Sequence, residues 1–191
     1  MGEKGRPVEI RRGGTVACSD ADPFHLLRQL LADYQPSPPA RLDLPFVGGA
    51  LQLSVMAGIR SDAVARASGS ERVVRAMPNT PALIGRGIAG LYARDAVDAA
   101  GRAEAEALLA PTGQTLWVAQ ERDLDAVTAL SGSGPAYVFY FVEAMMQAAA
   151  EMGLTPAQGR QLALATFDGA TALAAASSEA PETLRAQVTS K

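Results

Sequence analysis

The sequence predicts an α/β layer in its middle third, followed by an all-helical final third. Three observations lead there. Strand-like and helix-like stretches alternate between Leu51 and Val118. Strand signals then stop, and long alanine-rich apolar runs take over. Inside one of these runs, Leu124–Glu151, sits a tight polar segment, Ser131-Gly132-Ser133-Gly134-Pro135. Leu124–Glu151 is the organising stretch of the chain.

Residues 1–45 carry little regular pattern. Gly2, Gly5, Gly13 and Gly14 alternate with Arg6, Arg11 and Arg12 in a polar opening. Val8-Glu9-Ile10 suits a short strand, and Phe24–Leu31 suits a short helix behind Asp20 or Asp22 with Pro23 at its first position. Tyr34–Pro39, rich in proline, reads as a loop or linker. Neither Gly13-Gly14 nor Gly48-Gly49 has the Gly-x-Gly-x-x-Gly spacing of a dinucleotide turn.

From Phe46 the pattern sharpens. Leu51–Met56 reads as a strand ending at Ala57-Gly58, and Ser61–Ala67 as a helix capped by Ser61. Val73–Met77 is a second strand, stopped by a turn at Pro78-Asn79-Thr80-Pro81. Ile88–Ala93 is a third strand, and Asp95–Leu109 a helix with Ala99, Ala103, Ala107 and Leu108 on or near one face. Thr115–Val118 is the fourth strand. Ile88 to Val118 has the length of a βαβ unit.

The rest is helical. Leu124–Leu130 is one helix, and Tyr137–Met152 another, closed by Gly153 as a C′ glycine. Thr155-Pro156 caps a helix running to about Ala176, and Glu182–Val188 is a last short one. Phe139, Val142, Met145 and Met146 make a face too apolar for water, which needs other helices or a second subunit. Ser133 or Gly134 suits an N-cap with Pro135 behind it. Read alone, the segment is either a plain helix–turn–helix joint or a helix start whose N–H groups face an anion or carbonyl oxygen.

Composition narrows the chemistry. The 191 residues are 48% hydrophobic and 19% charged, as in a folded protein of one domain or two small ones. A formal net charge of −3 gives no broad case for nucleic acid. A lone cysteine, Cys18, excludes an intramolecular disulfide and a multi-cysteine zinc site. A lone histidine, His25, excludes a histidine-rich metal site. No run of about 20 apolar residues suits a membrane span, and no signal peptide is visible, so a reducing cytoplasmic setting is expected.

Two polar clusters remain as candidate sites. Met77-Pro78-Asn79-Thr80-Pro81 lies where a strand of the α/β layer ends, the usual place for ligands in such sheets. Ser131–Gly134 is the other. Neither has a neighbouring residue that would activate a nucleophile. An enzyme built on them would therefore leave the chemistry to a cofactor and position it. Asp123, Asp125 and Glu143 are nearby acids that read as solvated helix charges.

Arg72–Ala82 and Leu124–Tyr137, with Met152–Pro156 and Gln187–Ser190, resemble pyrroline-5-carboxylate reductase. The resemblance runs from about Leu51 to Lys191. It implies a partial Rossmann-like parallel sheet over residues 46–120 and a helical dimerisation domain over 121–191, with 1–45 unmatched. It further implies hydride transfer from NADPH or NADH to 1-pyrroline-5-carboxylate, giving L-proline, in a homodimer or higher homo-oligomer. Pro78, Asn79 and Thr80 match the segment beside the nicotinamide end of the cofactor. Ser131, Gly132, Ser133 and Gly134 match the segment between the domains at the reaction centre. Thr189 and Ser190 match the start of the loop that binds the substrate carboxylate. The family's Gly-x-Gly-x-x-Gly-type turn, its Val-Lys-Pro segment and its later Gly-Gly-Thr loop have no counterpart here. An impaired fragment is therefore the expectation, with a non-catalytic helical dimerisation module as the alternative. A β-hydroxyacid dehydrogenase relative would need a lysine in its helical domain, and none lies between Lys4 and Lys191.

Overall fold

Val73-Val74-Arg75-Ala76-Met77 is the strand on which the α/β layer is built. β-branched residues favour extended backbone, and all but Arg75 and Met77 are buried. The computed structural model describes residues 50–189. Readings that fall on residues 1–49, the strand at Val8–Ile10 and the helix at Phe24–Leu31 among them, lie outside the described residues.

In chain order the first unit runs β1 (Gln52–Ser54), α1 (Ser61–Ser68), β2 (Val73–Met77), a 3₁₀ turn (Thr80–Ile84), β3 (Gly87–Ala93) and α2 (Ala99–Leu109). A second 3₁₀ turn (Ala110–Thr112), β4 (Gly113–Trp117), α3 (Asp123–Val127) and a π-helical turn (Thr128–Gly132) follow. The four strands form one sheet in the order β1-β2-β3-β4. β1 and β2 run parallel, as do β3 and β4, but β2 and β3 are antiparallel. Residues 78–86 are too few for a parallel crossover, which needs about a dozen. β3, α2 and β4 are the expected βαβ unit.

The sheet separates two faces. Val74, Ala76, Ala89, Leu91 and Ala93 pack with Ala105 and Leu109 of α2. Gly101, Ala105 and Leu109 are the buried residues of α2, so its inner face is not the one expected from Ala99, Ala103, Ala107 and Leu108. Both sets have helical spacing. The buried one carries Gly101, which packs closely on Val97 and Asp98. Asp98 also starts the helix later than expected, by accepting from the Gly101 N–H at 2.8 Å. On the opposite face α3 packs onto β3. A Cβ on Gly90 would lie 2.7 Å from a methyl of Val127 and 3.2 Å from Leu124, so the approach requires glycine there.

Tertiary contacts divide the chain at Pro135, and residues from Ala136 onward form a second unit. It is built on α4 (Gly134–Glu151), α5 (Pro156–Ala176) and α6 (Pro181–Val188). The predicted glycine stop holds. Gly153 has φ +88°, its N–H donates to Ala150 O at 3.0 Å, and that of Leu154 donates to Ala149 O at 2.9 Å. Thr155 then caps α5 in a reciprocal capping box with Gln158. Small residues make the seam between the two long helices: Ala149, Gly159 and Ala163 are buried. Phe141 and Phe167 meet beside it with ring centres 6.4 Å apart.

Candidate functional site

β2 ends at Met77, opposite Gly90 of β3. Carrying that register two places further sets Asn79 opposite Ile88. Pro78 has no N–H with which to extend the ladder, and the Asn79 side chain takes over. Its Oδ1 accepts the Ile88 N–H at 3.0 Å. Its Nδ2 donates to Ser131 Oγ at 3.1 Å. The two polar clusters, 52 residues apart in sequence, therefore meet through one amide.

The predicted turn at Pro78–Pro81 is the entry to a 3₁₀ helix. Asn79 is its N-cap residue, yet its side chain makes no capping bond, being engaged across the strand end instead. Thr80 is exposed, and Pro78 and Asn79 are half-buried. Ser131, Gly132, Ser133 and Gly134 are half-buried as well.

α4 starts at Gly134, within one residue of the predicted helix start, but the π turn leads almost directly into it. α3 runs into the π turn, and Ser133 keeps right-handed helical angles with its N–H donating to Thr128 O at 2.8 Å. A π turn leaves a widened, locally irregular backbone, and such turns gather at functional sites. A Cβ on Gly132 would touch the end of Met77 at 3.0 Å, while one on Gly134 would meet nothing within 4 Å among the described residues beyond its own helix. Gly132 thus seats the turn against β2, and Gly134 faces open space. Thr189 closes α6, its hydroxyl donating to Arg185 O at 2.7 Å. Ser190 lies outside the described residues.

A third cluster was not anticipated. Glu121, just before α3, accepts the Ser61 N–H at 2.6 Å, the Ser61 hydroxyl at 2.8 Å and Arg75 Nη1 at 2.8 Å. Ser61 is thus the first residue of α1, not its side-chain cap; its hydroxyl is turned to Glu121. Burial pushes the Glu121 carboxyl up, but the Arg75 guanidinium and the two Ser61 donors outweigh it and hold the group below the ordinary glutamate value. The available signal was Arg75 itself, a charge in the middle of an apolar strand, which demands a partner. Asp125 and Glu143 are exposed, as read, and Asp123 accepts the Gln120 N–H at 3.1 Å.

Among the described residues no group of His, Cys, Asp and Glu is placed to hold a metal. No helix there is long and apolar enough to cross a membrane.

The joined clusters can be set beside known proteins. Residues 121–191 match the family model described as pyrroline-5-carboxylate reductase dimerisation. A pyrroline-5-carboxylate reductase of Pseudomonas aeruginosa is 45% identical over 141 residues, covering 73% of this chain and 52% of its own length. That of Corynebacterium melassecola is 42% identical over 139 residues, covering 72% of this chain and 51% of its own. Over its matched residues the chain is similar to pyrroline-5-carboxylate reductases, and residues 121–191 match their dimerisation domain. It spans about half the length of the curated relatives it matches. A reductase structure from Coxiella burnetii superposes with a TM-score of 0.70 at 32% identity, covering 87% of this chain and 57% of that one. One from Plasmodium falciparum, with NADP bound, gives 0.68 at 29% identity over 74% of this chain and 57% of that one. The sheet followed by helices is the fold shared with these reductases.

Proposed function

We propose that this chain acts in the reduction of 1-pyrroline-5-carboxylate to L-proline, with NADPH or NADH as hydride donor. The observation that carries the reading is the Asn79–Ser131 hydrogen bond. It places at one strand end the two motifs on which the family resemblance rests. Hydride goes to the imine carbon, the C=N electron pair moves to nitrogen, and nitrogen ends with a proton from solvent. This chemistry asks for close alignment of two bound molecules more than for a strong base, and the site offers hydroxyls, amides and open backbone. In this reading Pro78, Asn79 and Thr80 lie along the nicotinamide end. Ser131, Gly132, Ser133 and Gly134 border the reaction centre, and Thr189 and Ser190 are assigned to holding the substrate carboxylate on the family resemblance alone. Gly134 supports it in a specific way, since open space beside a glycine admits a ligand to the backbone. Residues 46–120 would serve the cofactor and 121–191 the assembly, in the cytoplasm.

A homodimer is part of the proposal. The matching family model is a dimerisation model. In the single chain Phe139, Tyr140 and Phe141 are all exposed, an apolar surface that water does not favour.

The test is oxidation of NADPH by the purified chain with 1-pyrroline-5-carboxylate, followed by loss of NADPH absorbance. A rate above the no-enzyme background, abolished by omitting the imine, is expected. A background rate from a folded dimer would reject reduction by this chain and leave a dimerisation module.

A further inference from the structure

Asn79 has a fixed polarity. The Ile88 N–H can only donate, so the amide oxygen must face it. The amide nitrogen must then face Ser131, and it too can only donate. Ser131 Oγ is therefore an acceptor in this bond, and its own proton is left to be given elsewhere. We propose that Asn79 is a positioning residue that commits the Ser131 hydroxyl to act as a hydrogen-bond donor toward the bound reactants. This inference rests on the reductase reading for the identity of those reactants. Two acceptors of like chemistry are present in that reaction, the imine nitrogen, which gains an electron pair as hydride arrives, and the carboxamide oxygen of the nicotinamide. A donor held in place beforehand needs no reorganisation when that charge develops. Glycine next door, seated on Met77, keeps the hydroxyl's backbone close to the strand end.

The experiment is a double-mutant cycle in the full chain. Asn79→Asp keeps the shape and the acceptor for Ile88 but presents an acceptor to Ser131, which must turn its proton inward. We expect kcat to fall by about 100- to 1,000-fold, the order seen when one placed donor is lost. Ser131→Ala should cost a similar factor, and Ser131→Thr, which keeps the hydroxyl, should restore part of it. In the Ser131→Ala background Asn79→Asp should add little. An unwanted effect of the new charge would instead persist in both backgrounds and would overturn the proposal. NADPH titration without imine separates the acceptors. Weakened NADPH binding in Ser131→Ala assigns the carboxamide oxygen, and lowered kcat with unchanged NADPH affinity assigns the imine nitrogen. If NADPH affinity and kcat are both unchanged in Ser131→Ala, the proposal is overturned.

If the wild-type chain does not turn over, the reductase reading fails by itself. The polarity is then read on the free protein from the Asn79 side-chain amide protons by ¹⁵N-resolved NMR. Their shift and solvent exchange should change in Ser131→Ala. Unchanged resonances would overturn the assignment.

Discussion

Arg75 Nη1 donates to Glu121 Oε1 at 2.8 Å, with both side chains only 12% exposed. The pair joins the middle of β2 to the residues that lead into α3 and the π turn. Ser61 adds the start of α1 to the same carboxylate. The Asn79–Ser131 bond holds the far end of that helical segment to the far end of the same strand. Arg75 and Asn79 thus pin one segment at two points, and Gly90 lets it lie flat between them.

Glu121→Ala should destabilise the α/β unit by about 3 kcal/mol, because removing one partner leaves a largely covered guanidinium without its carboxylate. Replacing both residues, as Arg75→Met with Glu121→Leu, should cost much less. Urea unfolding of the three proteins decides it. Equal losses in the single and double variants would mean that the pair is not coupled.

The same pair sets a pH dependence. Glu121 has a folded value below its ordinary 4.5, with Arg75 and Arg60 as the charges that face it. A depressed carboxylate stabilises the fold above its unfolded value, and that contribution is lost as pH falls through the folded value. The wild type should therefore lose stability on acidification faster than Glu121→Gln. Parallel stability curves for the two proteins across the carboxylate range would exclude this.

Much of the fold was legible because its signals are local. The limits of β2 follow from two β-branched residues and Pro78, and the α4–α5 corner from Gly153, Thr155 and Pro156. Glu121 was not legible, because its importance comes from Arg75 and Ser61, which are distant in sequence. The inner face of α2 was misread for a related reason. Ala99, Ala103 and Ala107 make one stripe at helical spacing and Gly101, Ala105 and Leu109 another, and the buried one is the stripe whose glycine packs on Val97 and Asp98 of the preceding loop. At the site, both clusters were visible as polar breaks in apolar text. That one asparagine joins them depends on strand register, which pairing alone sets.

Gly90→Val should cost about 1–3 kcal/mol, the usual penalty for overpacking. Its side chain would fall on both Val127 methyls, at 2.7 and 2.9 Å from Cβ alone. Val127→Ala in the same chain should recover part of the loss. Thermal unfolding reads both, and failure of Val127→Ala to help would show that α3 is not what Gly90 accommodates.

Gly134→Val separates folding from function. Among the described residues, nothing beyond its chain neighbours and own helix backbone lies within 4 Å of the new Cβ, so thermal stability should change by less than about 1 kcal/mol. A ligand approaching that backbone would meet the side chain, and reductase activity should fall at least about tenfold. Ser178→Ala, on the exposed segment between α5 and α6, should leave it unchanged. Equal activities for the two variants would remove Gly134 from the site.

Phe139 is 66% and Tyr140 70% exposed in the single chain, whereas Val142 and Met146 are half-buried. Burying an aromatic side chain of this size is worth about 1.5–3 kcal/mol, and every 1.4 kcal/mol is about tenfold in a dissociation constant. Phe139→Glu should therefore weaken self-association by about tenfold or more, and further if the carboxylate is trapped without a partner. The residue is exposed in the isolated chain, so its own helix should keep its circular dichroism. Sedimentation velocity across a dilution series would show a dimer for the wild type and a shift toward monomer for the variant. A variant dimer as tight as the wild type would place the partner surface elsewhere. A wild type that stays monomeric at every concentration would leave α4 uncovered and withdraw the dimer.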